Sequence, residues 1–162
     1  MTLACIGLGA NLGDAAMTVR AAQQALAALP RTRLVAASRL YRTPAWGETA
    51  QPDFINAAAC VETDLGAVEL LDELLAIEAR FGRVRVDGER WGPRRLDLDL
   101  LLYGEAVIDL PSLQVPHPWL HLRAFALLPL AEIAPDALIV GHGSVRDTAM
   151  RVDACGIEAI GG

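Results

Sequence analysis

The sequence predicts an α+β fold in which helices lie on the faces of a mainly antiparallel sheet, with a ferredoxin-like βαββαβ core. Three observations predict this fold class. Strand-like and helix-like apolar patterns follow one another in the order β-α-β-β-α-β. The length of 162 residues fits one domain, which we assign to residues 1–162. Apolar residues make up 53% of the chain, enough for one substantial core.

Local signals place the elements of the first half. Val19, Ala22, Leu26 and Leu29 recur at three- and four-residue spacing and predict a helix over 14–29, which Pro30 ends. Strands are predicted before and after this helix, at 2–8, 31–41 and 54–63. A proline- and glycine-containing segment, 43–53, is predicted to be a loop.

The second half continues the pattern. Asp64 is predicted to cap a helix that runs to about Phe81, with an apolar stripe of Val68, Leu71, Leu74, Leu75 and Phe81. An arginine-rich loop, 82–93, leads into a strand at 96–103, and a turn at 104–105 leads into a short strand at 106–108. The last predictions are a helix over 122–133, bent near Pro129, and a capping box of Ser144 and Asp147.

Composition excludes several function classes. The net charge of −6 disfavours a nucleic-acid partner, and no apolar run approaches the roughly 18 residues of a membrane span. Three widely separated cysteines predict buried thiols in a reducing compartment. The N-terminus lacks the basic region of a signal peptide. These features predict a cytoplasmic protein. We also expect a monomer that acts on small molecules. The chain contains no lysine, which excludes a P-loop, a protein-kinase site and a Schiff base.

An Asp-x-Asp pair is the strongest local signal. Because side chains alternate along a strand, Asp97 and Asp99 share one face, roughly 6–7 Å apart, and the intervening leucine points to the other face. Such carboxylates suit Mg²⁺ that also binds substrate phosphates. An ordinary half-buried strand with a solvated polar face is the alternative.

Five arginines immediately precede this pair: Arg83, Arg85, Arg90, Arg94 and Arg95. Arginines for phosphate oxygens beside carboxylates for the metal are what a magnesium-bridged polyphosphate requires. Glycines in the same segment favour a lid that closes on substrate. A solvated charged loop remains the alternative.

Other residues allow two interpretations each. Glu78 lies on or beside a helical apolar stripe, so it either contacts the nucleotide or pairs with an arginine of the next loop. Phe54 and Asn56 share a strand face, which suits either a flat heterocycle or an ordinary core. His117 lies between two prolines in extended backbone, where a phosphate contact or an orienting role is more plausible than zinc. The glycines of segment 7–13 do not match a dinucleotide fingerprint, and we interpret the segment as a tight turn.

These segments together resemble the 6-hydroxymethyl-7,8-dihydropterin pyrophosphokinase family over about residues 6–136. The resemblance is carried by Gly-Ala-Asn-Leu-Gly at 9–13, Tyr-Arg-Thr-Pro at 41–44, Gln-Pro-Asp-Phe-Ile-Asn-Ala at 51–57, Gly-Arg-Val-Arg at 82–85, Arg-Trp-Gly-Pro-Arg at 90–94, Leu-Asp-Leu-Asp at 96–99, Val-Pro-His-Pro at 115–118 and Arg-Ala-Phe at 123–125. The chain departs from the family pattern at Ala10, Trp46, Gly88 and Trp119.

The resemblance implies transfer of pyrophosphate from ATP to the pterin hydroxymethyl group in folate biosynthesis, with release of AMP. It implies that Asp97 and Asp99 bind two magnesium ions and that Arg83 and Arg94 close on the phosphates. The nucleotide-side residues it implies are Glu78, Arg85, Trp91, His117 and Arg123. Phe54 and Phe125 would sandwich the pterin and Asn56 would read its edge, beside Pro44 and the backbone of Thr43 and Trp46. A non-catalytic ferredoxin-like module and an Asp-x-Asp phosphoesterase remain as rival classes.

Overall fold

The structure is a computed structural model that describes residues 1–44, 52–82 and 96–160. Within these ranges, ten strands and four α-helices occur. The strands are β1 (Thr2–Ala10), β2 (Thr32–Ala37), β3 (Leu40–Thr43), β4 (Phe54–Thr63), β5 (Asp97–Tyr103), β6 (Ile108–Leu110), β7 (Leu113–Val115), β8 (Leu138–Ile139), β9 (Gly143–Ser144) and β10 (Glu158–Ile160). The helices are α1 (Ala15–Ala27), α2 (Ala67–Arg80), α3 (Ala124–Ile133) and α4 (Val145–Arg151). Trp46, Arg83, Arg85, Trp91 and Arg94, predicted as site residues, lie outside the described residues.

The main sheet has β1 and β4 at its centre. Its order is β10-β3-β4-β1-β5, with β2 also pairing with β4, and every pairing between these strands is antiparallel. This is the arrangement that the βαββαβ order predicts. Helix α1 joins β1 to β2 and α2 joins β4 to β5, and in each case the strand that lies between the two is antiparallel to both. The α+β, ferredoxin-like prediction is confirmed.

Two apolar clusters cover the two faces of this sheet. The first packs α1 and α2 against residues such as Ile6, Leu98 and Leu100. The second packs α3 and α4 against Cys5, Cys60 and Leu101, among others. We call the second side the α3 face, because it carries the cavity described below. None of the helices in the described parts of the chain has the length and apolar character needed to cross a membrane.

Helix α1 forms as predicted. The Asp14 side chain accepts a hydrogen bond from the Met17 amide at 3.1 Å and caps the first turn. Val19, Ala22 and Leu26 are fully buried. The predicted apolar stripe of this helix is therefore the one that packs on the sheet.

Helix α2 differs from its prediction at the cap and in the stripe. It starts at Ala67, and Glu69 accepts from the Gly66 amide at 2.9 Å, so Asp64 is not the cap. The buried stripe contains Leu70, Leu74, Ile77 and Glu78, whereas Val68 and Leu75 are exposed. The leucine-rich sequence allows two apolar stripes, and only contact with β5 decides which of them is buried.

Three further boundaries were predicted wrongly. The strand at 31–41 is interrupted between β2 and β3, where Ser38 accepts from the Ala58 amide and donates to the Arg39 carbonyl. The short strand after the turn at 104–105 is β6, which pairs with β7 and not with β5. Helix α3 begins at Ala124 after a short 3-10 helix, Leu120–Leu122, and Pro129 lies within it.

Two smaller predictions, a helix cap and the burial of the cysteines, have mixed outcomes. Ser144 caps α4 by accepting from the Asp147 amide at 3.1 Å, as predicted. Cys5 and Cys60 are buried free thiols, but Cys155 is exposed, so its predicted burial is wrong.

Candidate active site

A cavity of about 360 Å³ opens on the α3 face of the sheet. This volume falls in the range of small-molecule sites. Nine of the predicted site residues line it: Thr43, Pro44, Phe54, Asn56, Asp97, Asp99, His117, Arg123 and Phe125. Residues from five separate segments of the chain therefore meet in one place. Sequence analysis missed the other lining residues, which are Gly7, Leu8, Gly9, Ala57, Leu101, Leu120 and Ala126.

The Asp-x-Asp pair forms one wall of this cavity. Asp97 lies opposite Gly9 and Asp99 opposite Gly7 in the β1–β5 register. Both aspartates line the cavity, whereas the intervening Leu98 is buried in the apolar cluster under α1 and α2. The predicted alternation of faces is confirmed, and both aspartates lie at the cavity on one side of the sheet.

Two glycines of β1 form the floor between the walls. Gly7 and Gly9 are strand residues that line the cavity. The strand predicted over 2–8 is confirmed at Gly7, and the interpretation of segment 7–13 as a tight turn is wrong up to residue 10, where β1 ends; of its three glycines, Gly13, with φ of +58°, has turn geometry. A Cβ at Gly9 would lie 2.8 Å from the Asn56 Oδ1 atom. The alternate spacing of the two glycines on one strand face was the available sequence signal.

Asn56 is held from two sides. Its Nδ2 donates to the Thr43 hydroxyl at 3.0 Å, across the β3–β4 pairing. Gly9 is its partner in β1, and the missing side chain there leaves space for the Asn56 carboxamide. Thr43 and Asn56 are both buried, so the amide has a defined orientation at the cavity wall. Thr43 thus contributes its side chain, where only its backbone was expected to contribute.

His117 is oriented by its own segment and by β5. Its backbone amide donates to the carbonyl of Leu101, at an irregularity in the β1–β5 register, and its Nδ1 accepts from the Trp119 amide at 3.2 Å. Burial lowers the pKa of His117, nearby Asp99 raises it, and Arg123 lowers it, with a net decrease. The neutral ring with Nδ1 as acceptor carries its proton on Nε2, which can donate to a ligand.

The start of α3 closes the cavity on the side opposite the sheet. Arg123 immediately precedes the helix, and its guanidinium carbon lies 5.6 Å from the centre of the Phe125 ring. A cation over the face of a ring is attracted by the ring quadrupole, so each group orients the other. The cavity is therefore lined by hydrogen-bond donors from Arg123 and His117 and by carboxylates from Asp97 and Asp99.

Glu78 differs from the other described residues predicted for the site, because it lies outside the cavity lining and contacts the backbone of β5. It is 3% exposed, and its Oε2 accepts from the Leu98 amide at 2.7 Å. Among the described residues, it does not line the cavity. Its predicted contact with a nucleotide stays a prediction, and the contact with β5 was not foreseen.

A hydrogen-bonded network connects α3 to β3. The Glu132 carboxylate accepts from the Tyr41 hydroxyl at 2.6 Å, from the Arg39 amide at 2.9 Å and from Arg39 Nε at 3.0 Å. Burial raises the pKa of Glu132, but these three donors outweigh burial and the net pKa is lowered from 4.5. The network fixes the distance between the helix that carries Phe125 and the strand that carries Thr43.

We expect Glu132→Gln to lower the melting temperature by about 2–4 °C at pH 7, because charge-assisted hydrogen bonds become neutral ones. The folded-state pKa lies below the ordinary 4.5, so the carboxylate contributes its full stability above that pH. The contribution is lost as pH falls through the folded-state pKa. Melting curves from pH 7 to pH 3.5 should show the two proteins converging at the acidic end. A difference that stays constant across this range would contradict the assignment.

Asp97 and Asp99 provide the oxygen ligands that Mg²⁺ prefers, on one face and beside open space. Within the described ranges there is no cluster of three or more metal-ligating side chains. Two carboxylates beside open space suit Mg²⁺ at a phosphate site, where water and substrate oxygens provide its other ligands.

Comparison with known proteins identifies the family. The family model described as 7,8-dihydro-6-hydroxymethylpterin-pyrophosphokinase (HPPK) matches residues 5–135. A 2-amino-4-hydroxy-6-hydroxymethyldihydropteridine pyrophosphokinase from Methylorubrum extorquens is 48% identical over 160 residues, covering 99% of both chains. The enzyme of the same name from Pseudomonas aeruginosa is 50% identical over 131 residues, 81% of this chain and 80% of the relative.

Solved structures agree on the fold. The crystal structure of Plasmodium falciparum HPPK-DHPS wild type with pteroate superposes with a TM-score of 0.73 at 14% identity. The match covers 93% of this chain, which spans 44% of the length of that protein. At this identity the likeness concerns the fold alone. With the family match over most of the sequence and relatives near half identity over nearly full length, this chain belongs to the 7,8-dihydro-6-hydroxymethylpterin-pyrophosphokinase family.

Proposed function

We propose that this chain transfers the β,γ-pyrophosphoryl unit of ATP to the hydroxymethyl oxygen of 6-hydroxymethyl-7,8-dihydropterin and releases AMP. The observation that carries the proposal is one cavity in which an acid pair faces a pocket bounded by two aromatic rings and a buried amide. The acids suit a metal-bound polyphosphate, and the rings and amide suit a flat heterocycle. Relatives named for this reaction support it.

The pterin would occupy the part of the cavity between Phe54 and Phe125. Aromatic rings bind a flat heterocycle by stacking, and a carboxamide offers both a donor and an acceptor to its edge. Asn56 is suited to this task because its contact with Thr43 orients it. Pro44 lines the same side. The backbone of Trp46, which lies outside the described residues, is proposed to contribute to pterin binding.

The polyphosphate would lie along the acid pair. Asp97 and Asp99 would hold magnesium, with two ions expected, and a bound cation would neutralise charge on the phosphate oxygens. His117 and Arg123 line the cavity and present donors to a nucleotide. Arg83 and Arg94 are proposed to close on the phosphates, and Arg85 and Trp91 are proposed to contact the nucleotide; all four lie outside the described residues.

The reaction then depends on positioning and on charge stabilisation. The hydroxymethyl oxygen attacks the β-phosphorus and its proton passes to water, while the bond between that phosphorus and the α–β bridging oxygen breaks and AMP leaves. Holding the two reactants in one cavity makes the attack effectively unimolecular. Arginine and histidine donors aimed at the phosphate oxygens stabilise charge that develops in the transition state.

Product analysis tests the proposal directly. Purified protein is incubated with Mg²⁺, ATP and the hydroxymethyl pterin, and the nucleotide products are separated. We expect AMP and a pterin diphosphate in equal amounts, with none formed when the pterin is omitted. ADP would indicate an ordinary kinase, inorganic phosphate without pterin a phosphoesterase, and no product a non-catalytic module; each of these results would overturn the proposal.

A further inference from the structure

The strand that carries the acid pair lies at an edge of the main sheet. Among the described strands, β5 pairs only with β1. Backbone N–H groups of an antiparallel strand point alternately to its two sides, so the side away from β1 presents amides without a strand to receive them. The amide of Leu98, between Asp97 and Asp99, donates instead to the Glu78 carboxylate at 2.7 Å.

This contact places a charged group where a hydrophobic one would be ordinary. Leu74 and Ile77, on the same face of α2, are essentially fully buried, and Glu78 itself is 3% exposed. A buried carboxylate is costly unless it is hydrogen-bonded, so its presence in this stripe calls for a specific task. The short, charge-assisted bond to Leu98 is a contact that a leucine at position 78 would lack.

The contact acts on the acid pair through the backbone. Because Leu98 points into the first apolar cluster and Asp97 and Asp99 point to the cavity, fixing the central amide fixes the twist of all three residues. Glu78 reaches this amide from α2, which packs on the face opposite the cavity. The Glu78 carboxylate therefore accepts the hydrogen bond that a neighbouring strand would otherwise accept. It does so between Asp97 and Asp99, the two side chains that must both point to the cavity.

We propose that Glu78 is a positioning residue that holds the β5 backbone so that Asp97 and Asp99 are aimed together at the cavity. The proposal rests on the function proposed above, since it assigns Glu78 a role in that reaction. It differs from a nucleotide contact in a testable respect. A positioning role needs only a hydrogen-bond acceptor at position 78, and not a negative charge that touches substrate.

The test compares Glu78→Ala, Glu78→Gln and Asp72→Asn. Glutamine keeps an acceptor oxygen for the Leu98 amide, whereas alanine removes it. Asp72 is exposed on the same helix, so Asp72→Asn controls for the loss of one negative charge. The measurements are kcat and the pterin KM, amide hydrogen exchange of Leu98 relative to β4, and Mn²⁺ binding followed by electron paramagnetic resonance.

For Glu78→Ala, we expect kcat to fall by about 10- to 100-fold, because a displacement of about 1 Å at a reacting group costs that much. The pterin KM should change by less than about twofold, since the wall with Asn56 is separate from β5. Leu98 should exchange faster and Mn²⁺ should bind more weakly. Glu78→Gln should restore exchange protection and most of kcat, and Asp72→Asn should match the wild type.

Several results would overturn the inference. They are an unchanged kcat in Glu78→Ala, a Leu98 amide that exchanges like an exposed amide in the wild type, or a Glu78→Gln variant as impaired as the alanine variant. If Glu78→Ala does not fold, Glu78→Gln and the wild-type exchange rate still decide the question. The exchange and Mn²⁺ measurements need no turnover, so they separate failure of this inference from failure of the proposed reaction.

Discussion

Asp97→Asn and Asp99→Asn are each expected to lower the rate of AMP release by about 100-fold or more, the usual cost of removing one group that stabilises transition-state charge. Both carboxylates line the cavity, and both lie opposite glycines, so no neighbouring side chain in β1 can replace them. Asparagine keeps the shape of aspartate but loses the charge that attracts a divalent cation. The measurement is initial rate against Mg²⁺ concentration, together with the melting temperature.

The matched control for this experiment is Asp109→Asn, an exposed aspartate in β6. It should retain the wild-type rate and show that loss of one acidic group has no general effect. The melting temperatures of the two site variants should stay at or near that of the wild type, because the site is open to solvent. Either variant with the full wild-type rate would refute the metal assignment.

Gly9→Ala is expected to weaken pterin binding by about 10- to 100-fold while the protein still folds. The added Cβ would lie 2.8 Å from Asn56 Oδ1, so the carboxamide must turn away and its bond to Thr43 must change. Disturbing a buried hydrogen-bonded group costs about 1–3 kcal/mol, which corresponds to this change in affinity. The measurement is the pterin dissociation constant by calorimetry.

Gly66→Ala is the control for this substitution. Its Cβ would meet only the Glu69 carboxylate at 3.3 Å, at the start of α2 and away from the cavity. This variant should bind the pterin like the wild type. If Gly9→Ala also binds normally, Asn56 is not the group that reads the pterin edge, and the substrate has been placed wrongly in the cavity.

Parts of the fold that depend on local periodicity could be predicted from the sequence. The apolar spacing of α1 and the alternation around Asp97 and Asp99 are repeats of 3.6 and 2 residues, and each has one structural outcome. The stripe of α2 was predicted wrongly because several leucine faces satisfy the helical period equally. The partner of β6 was predicted wrongly because pairing depends on which strand is nearest in space, and a turn signal alone does not specify it.

The candidate site divides in the same way. Acidic, aromatic and arginine-rich motifs indicated phosphate and heterocycle chemistry. The segments that resemble the family then indicated which residues of these motifs belong to the site. The glycine floor escaped notice because Gly7 and Gly9 carry no chemistry of their own. Their importance comes from the Asn56 carboxamide and the acid pair on neighbouring strands.

The sequence by itself determined the class of fold, the family and the chemical groups available, since these depend on residue identity and short-range spacing. Only the tertiary structure decided that Gly9 leaves room for Asn56, and that Glu78 turns from α2 toward the backbone of β5. These contacts join residues 20 to 47 positions apart in the chain. Their partners are chosen by how the helices and strands pack, and this long-range choice leaves no periodic signal in the sequence.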